Sequence, residues 1–396
     1  MKRYLKILVL ALVVVFCLGG LVACNADGSG SSNENGLLVK KFSDDSYWTV
    51  YGYEGEDEEI DVESMAKDED GNPVVIGRIL TGAFKNADKT KRVIVPSTVE
   101  VIDEGAFKDM NSLEEITLPF IGKTAIADSQ VNETEPSEDK SVDAERTFGY
   151  IFGTEEYSAG YLFTQIYNTA EGSSNSYYIP KTLKKINVSP KAGSNYKIPM
   201  FAFACGDTNW PLIEKVNLSS DVKVIGEYAF YRFKGLSQIN LDGITQIKKC
   251  AFSNCSNLKT VAFGTDLISI GDYAFEKAGV RAVEVISVAT TIGNYAFANS
   301  LVENATIGAQ VISEGVFSNC ERLSKVTISH SSATIKAFAF SGCTNLSSIG
   351  AYGTADKTAN FTGFTVENNA FAKVDKDNFN TITGLTDIDS VFVSVK

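Results

Sequence analysis

The chain has 396 residues, 44% hydrophobic and 21% charged, and its 49 acidic against 36 basic side chains give a formal charge of -13. A composition this apolar builds a continuous core and is not that of a disordered chain. The acid excess, with no Lys/Arg cluster to offset it, excludes nucleic acid as a partner.

Catalytic chemistry is thin. His330 is the sole histidine, so multi-histidine metal sites cannot be built, and no Ser-His-Asp or Cys-His constellation is read around it. No Gly-x-x-x-x-Gly-Lys-Ser/Thr stretch offers a phosphate cradle. Carboxylates abound, but nothing singles out a pair for glycoside hydrolysis. The expectation is a protein that is not an enzyme and uses no cofactor or metal.

Residues 1–23 read as a secretory leader: Met1-Lys2-Arg3-Tyr4-Leu5-Lys6 is a positive start, residues 7–22 are apolar, and small residues precede the cleavage point. At about 16 residues the apolar run is shorter than the roughly 20 a membrane-spanning helix needs. Leu21-Val22-Ala23-Cys24 also resembles a bacterial lipobox, which implies a lipid on the Cys24 sulfur and a mature chain starting there. An ordinary leader with a coincidental cysteine is the alternative. Residues 24–43 follow as a flexible tether, because Asn25 to Gly36 is rich in Gly, Ser and Asn.

Residues 44–74 read as an N-terminal cap. Tyr47-Trp48-Thr49-Val50-Tyr51-Gly52-Tyr53 alternates like an edge strand, and a stacked array needs its open apolar end closed. Acidic residues crowd Glu54 to Asp70. Asp68-Glu69-Asp70-Gly71-Asn72 lacks the ligand spacing of an EF-hand calcium loop and reads as an Asp-Gly turn.

From residue 75 a rhythm takes over, carried by Phe84, Phe107, Phe203, Phe230, Phe252, Phe275, Phe297, Phe317, Phe340 and Phe371. Nine follow an Ala and the tenth follows Val316; from Phe230 to Phe340 the gaps are 22, 23, 22, 20 and 23 residues. A period of about 23 residues marks a stacked repeat. Five residues before each Phe stands an aliphatic: Ile79, Ile102, Ile198, Ile225, Ile247, Ile270, Ile292, Ile312, Ile335 and Val366. That spacing predicts a tight, roughly helical turn with its apolar side inward.

After the Phe, the patterns Leu113, Ile116, Leu118; Leu236, Ile239, Leu241; Leu258, Val261, Phe263; and Leu323, Val326, Ile328 each end in a short strand with one buried face. Such a unit cannot bury its apolar side alone, so successive strands must pair in a parallel sheet along residues 75–350. The outward strand position is Asn217, Asn240, Ala262, Glu284, Thr306 and Thr327. A row without aromatics suits a protein partner better than a glycan; plain solvated surface is the other reading.

Beyond Cys17 in the leader and Cys24, the cysteines are Cys205, Cys250, Cys255, Cys320 and Cys343. Cys255, Cys320 and Cys343 each lie three residues after a repeat Phe, so the period sets their spacing and no Cys-x-x-Cys site exists. They read as small buried side chains, with a Cys320–Cys343 disulfide between adjacent coils as the alternative.

The gap from Phe107 to Phe203 is 96 residues. Val95-Pro96-Ser97-Thr98-Val99 matches Ile179-Pro180-Lys181-Thr182-Leu183, so the array resumes near Ile179 after an insertion at 121–178. Its first part, Lys123 to Arg146, is polar, aperiodic and loop-like. Its second part is dense in aromatics. They either pack the insertion onto the array or leave a contact patch of Tyr150, Phe152, Tyr177 and Tyr178. Residues 351–396 hold one more degenerate copy, Val366 to Phe371, and read as the C-terminal cap.

Ile225-Gly226-Glu227-Tyr228-Ala229-Phe230, its counterparts Ile270 to Phe275 and Ile292 to Phe297, and Cys255-x-x-Leu258 resemble the BspA-type leucine-rich repeat of bacterial surface proteins. The likeness spans about residues 75–350; Lys248 and Lys336 depart from it where Gly226 and Gly271 stand. It implies a leucine-rich-repeat solenoid, stacked short parallel strands joined by turns, interrupted by an insertion similar to those such proteins carry. With the lipobox it implies a surface-exposed lipoprotein of the bacterial cell envelope that binds a protein. The partner would be a host matrix or surface protein for an adhesin, or an envelope protein for a scaffold. Glycan capture through the aromatic insertion is the remaining alternative.

Overall fold

A computed structural model describes residues 30–32, 35–43, 45–125, 144–168, 173–206, 212–285, 287–351 and 355–393. The leader 1–23, Cys24 and most of the polar stretch between Lys123 and Arg146 lie outside the described residues.

Each coil turns at its Ala-Phe pair, but not helically. The residue before the Ala has a positive φ in all ten copies: Gly82, Gly105 and Gly315, and also Phe201, Tyr228, Cys250, Tyr273, Tyr295, Phe338 and Asn369, between 52° and 67°. A left-handed residue ends any helix. It also directs the Phe N–H at the next coil, where it donates to the carbonyl of the corresponding Ala: Phe230 to Ala251 at 2.8 Å, Phe252 to Ala274 at 2.7 Å, Phe275 to Ala296 at 2.7 Å. The rings climb with the backbone. Phe230, Phe252 and Phe275 stack at 5.0 Å per step and Phe297 follows at 5.2 Å, and all ten rings are fully buried. Lys248 leaves the turn intact: its N–H donates to Ile225 O at 3.0 Å, as Gly271 N–H donates to Ile247 O at 2.7 Å.

The opposite side of most coils is a strand. Glu59–Asp61, Arg92–Ile94, Glu115–Leu118, Lys185–Val188, Lys215–Leu218 and Gln238–Ile239 form one parallel six-stranded sheet; Ala282–Val285, Asn304–Ile307, Lys325–Ile328, Ser348–Gly350, Thr358–Asn360 and Thr381–Thr383 form another. Register keeps like with like: Ile116, Ile186 and Val216 align inward and are buried, while Thr117, Asn187 and Asn217 align outward.

The insertion is not wholly outside the array. Phe107 N–H donates to Ile151 O at 2.9 Å and Phe148 N–H to Ala202 O at 2.8 Å. The rings of Phe152 and Phe148 bridge Phe107 to Phe203 at centroid steps of 6.3, 5.3 and 5.2 Å. The short 3-10 turn Phe148–Phe152 thus stands in for a missing coil. The hairpin of Gly160–Asn168 with Ser173–Pro180 leaves the array but is pinned to it by Gln165, which is buried, accepts the Gly149 N–H and donates to Ala202 O.

Both expected end boundaries shift. Leu37–Lys40 pairs antiparallel with Trp48–Tyr53, which in turn pairs parallel with Ile76–Ile79. Leu37 and Val39 are buried, so the tether gives way to core before residue 43, and Trp48–Tyr53 is an interior strand, not an edge. At the other end the coils run past 350: Phe371 N–H donates to Val391 O at 3.1 Å, and Phe392 stacks on Phe371 at 4.9 Å. In the acidic cap the Asp68 carboxylate is turned inward on its own loop, accepting the Asp70 and Asn72 N–H groups at 3.0 and 2.8 Å.

All five described cysteines are free and buried. Cys255, Cys320 and Cys343 donate their thiols to the carbonyls of Phe230, Phe297 and Phe317 in the preceding coils at 3.0, 3.1 and 3.1 Å. That bond explains their shared register, since a small donor is what the position accommodates; no Cys320–Cys343 disulfide forms.

Candidate binding face

Three outward columns run up the strand side. In the first, Glu58, Lys91, Glu114, Lys184 and Glu214 alternate in sign coil by coil, with Lys91–Glu58 at 2.9 Å and Lys184–Glu214 at 3.6 Å. In the second, Arg92 lies 2.8 Å from Glu59 and 3.9 Å from Glu115, and Lys185 lies 2.8 Å from Glu115. Burial pushes the Glu115 carboxyl up, but Lys185, Asn187 and Arg92 outweigh it and hold it below its ordinary value. These charges neutralise one another, so they fix the coils in register and offer little to a charged partner.

The third column holds the outward residues named above. Asn187 donates to Thr117 Oγ1 at 3.0 Å and Asn217 donates to Asn187 Oδ1 at 2.7 Å, a chain of side-chain bonds climbing the sheet. Asn240 instead turns to backbone: its Oδ1 accepts the Leu218 N–H at 2.7 Å and its Nδ2 donates to Leu218 O at 2.8 Å. Glu284, Thr306 and Thr327 align in the second sheet, Glu284 exposed and the two threonines half-buried. Of the expected row, Asn217 lies in a strand of the first sheet and Glu284, Thr306 and Thr327 in strands of the second, while Asn240 and Ala262 lie in none. Two hollows open on the first sheet. One, of about 670 Å³, is lined by the paired charges; the other, of about 980 Å³, spans residues 212–262.

Of the two readings of the aromatic insertion, burial favours packing onto the array over a contact patch. Tyr150, Phe152 and Tyr177 are buried, because an array interrupted by an insertion must close two open apolar ends, and these rings close them. Burial pushes the Tyr150 and Tyr177 hydroxyls up in pKa, and Tyr177 OH lies 3.1 Å from Thr147 Oγ1 inside the core. Tyr178 alone of the four is half-exposed.

A different set of aromatics reaches the surface. The left-handed position before the Ala carries Tyr228, Tyr273, Tyr295 and Phe338, and also Phe201, which is buried; Phe201 stacks on Tyr228 at 5.1 Å and Tyr273 on Tyr295 at 5.3 Å. The signal for this column was present in the sequence: glycine at 82, 105 and 315 in the same register announces a backbone that favours positive φ.

A ring ladder inside, parallel strands on one side and left-handed turns on the other define a leucine-rich repeat solenoid. The chain belongs to the BspA type leucine-rich repeat family, whose model matches in six copies over residues 77–190, 196–313 and 310–392. No curated protein matches it. Among solved structures it is similar to a leucine-rich repeat protein from Bacteroides ovatus, at 16% identity and a TM-score of 0.40 over 94% of this chain and 90% of that one. A leucine rich cell surface protein from Faecalibacterium prausnitzii is similar at 17% identity and a TM-score of 0.33, over 94% and 100% of the two chains. The leucine rich repeat protein of T. pallidum is similar at 23% identity and a TM-score of 0.35, over 48% and 91%.

Proposed function

We propose that this is a lipid-anchored protein of the bacterial cell surface whose solenoid is a protein-binding module and not an enzyme. The observation that carries the reading is the strand face: a rigid, register-locked surface, self-neutral in charge and hollowed over its polar side. Membership of the BspA type family supports it, and the lipobox at Cys24 supplies the anchor.

Purified mature chain should bind saturably to an immobilised host matrix protein, a host cell surface or a bacterial envelope protein. Glu284→Arg with Thr306→Arg, both on the exposed side of the second sheet, should weaken that binding without lowering thermal stability. Absence of saturable binding to all three classes would sink the reading; binding to envelope proteins alone would make it a scaffold and not an adhesin. The anchor has a separate test: Cys24→Ser should leave the precursor unprocessed and unlabelled by palmitate, and normal labelling refutes it.

A further inference from the structure

One rung of the strand ladder is missing. Along the first outward column each carbonyl takes the amide of the next coil: Lys91 O from Glu114 at 2.8 Å, Glu114 O from Lys184 at 2.9 Å, Lys184 O from Glu214 at 2.9 Å, Glu214 O from Ser237 at 2.9 Å. The series resumes with Lys259 O from Arg281 at 3.1 Å and Arg281 O from Glu303 at 2.7 Å. Among the described residues no bond joins Ser237 O to Lys259 N, and residues 258–262 belong to no strand.

The gap ends at Phe263, which pairs again with Leu241 in a parallel bridge. Its register is filled elsewhere by Leu118, Val188, Leu218, Leu241, Val285, Ile307 and Ile328, and by Phe361, which follows a strand that keeps its pairing. The Phe263 ring lies edge-on to Phe275 at 5.6 Å and Phe297 at 6.4 Å and stays only partly buried. The Phe252–Phe275 stack keeps normal spacing on the turn side of the same coil. Ile239 and Val261 flank the gap at 8% exposure each, where Ile116, Ile186 and Val216 are at 0%.

The gap lies in the floor of the 980 Å³ hollow. The groups it frees are of peptide type: the Lys259 and Thr260 N–H groups and the side-chain carboxamides of Gln238 and Asn257, none of which bonds to another described residue. Glu214 and Asp242 are matched by Lys215 and Lys259, so the lining carries no net charge, and no aromatic ring lines it for a sugar to stack on. Asn240, on the same wall, already shows how a carboxamide here reads a strand, gripping both the N–H and the carbonyl of Leu218.

We propose that this hollow docks an extended, uncharged segment of a partner protein. Its peptide groups pair with the Lys259 and Thr260 amides and with Gln238 and Asn257, in the manner of Asn240 on Leu218. The inference rests on the protein-binding reading and adds the place and the chemistry of contact.

Random peptides displayed on phage, selected on the full mature chain and then examined in complex by hydrogen exchange, test it. Selected peptides should protect the Lys259 and Thr260 amides. They should lose about tenfold or more in affinity to Ala262→Arg, a substitution at an exposed position that fills the hollow without entering the core. Failure to enrich any peptide, protection elsewhere, affinity unmoved by Ala262→Arg, or oligosaccharides protecting the same amides would each overturn the proposal. If a whole protein partner binds wild type and Ala262→Arg equally, the protein-binding reading stands and this site falls.

Discussion

The sharpest test of the architecture is Phe252→Ala. Phe252 is fully buried and stacked on both sides, on Phe230 at 5.0 Å and 8° and on Phe275 at 5.0 Å and 12°. Truncating a buried Phe costs about 3–5 kcal/mol, and each stacked pair is worth about 0.5–1.5 kcal/mol beyond its area, so this position belongs at the upper end, about 5 kcal/mol. Because coils interact with nearest neighbours only, the damage should fall on two interfaces. In guanidinium denaturation the variant should show the loss with an early transition, and in native-state hydrogen exchange the Phe230, Phe252 and Phe275 amides should lose protection before Phe84 or Phe371. Phe252→Leu, which keeps much of the apolar volume, should lose about 2 kcal/mol. A loss for Phe252→Ala below about 1 kcal/mol, or protection falling evenly along the chain, would refute the ladder as the source of stability.

Three further outcomes follow from individual residues. Gln165→Leu orphans the Gly149 N–H in the core, while the Ala202 carbonyl keeps the Phe148 N–H, so urea unfolding should show a cost of about 1–3 kcal/mol; a neutral result means the hairpin is not pinned there. Lys277 is exposed and left-handed at φ 55°, and Lys277→Gly should raise stability by about 1 kcal/mol in thermal melts, whereas a lowered midpoint contradicts the strain. Burial pushes the Cys320 thiol from 9.0 up to about 11 and raises Cys205, Cys255 and Cys343 as well. The folded chain therefore holds protons that the unfolded chain releases: stability should be intact below pH 9 and fall as pH rises from there through 11, by about 1.4 kcal/mol per pH unit for each thiol engaged. Denaturation midpoints that stay level to pH 11 would rule this out.

The ring ladder was legible because a fully buried position repeated in every coil tolerates almost no change, so Phe and the aliphatic five residues before it survive even in degenerate copies. Phe392 escaped that pattern because its aliphatic, Ile388, stands four residues before it in a short helix. Phe148 and Phe152 escaped because two rings from one turn do the work of a coil, which no spacing rule encodes. The turn was misread for a subtler reason: an aliphatic, an Ala and a Phe at those separations fit a helix equally well, and only the glycines of the column before the Ala distinguish the left-handed turn.

The same reasoning separates scaffold from site. What repeats in a solenoid is what each coil needs in order to stack on the next, so a residue obeying the pattern is explained by packing and carries no information about a partner. Aromatic density is settled in the same way: Tyr150, Phe152 and Tyr177 allow a contact patch or packing by composition alone, and once the cost of leaving two array ends open is counted they are core. The segment 258–262 is the opposite case. It follows the apolar pattern of its column through Leu258 and Val261, yet it belongs to no strand, and the rung that neighbouring coils keep at Ser237 and Lys259 is absent among the described residues. Packing alone gives no reason for a coil that leaves its peptide groups unpaired; a partner that uses those groups does.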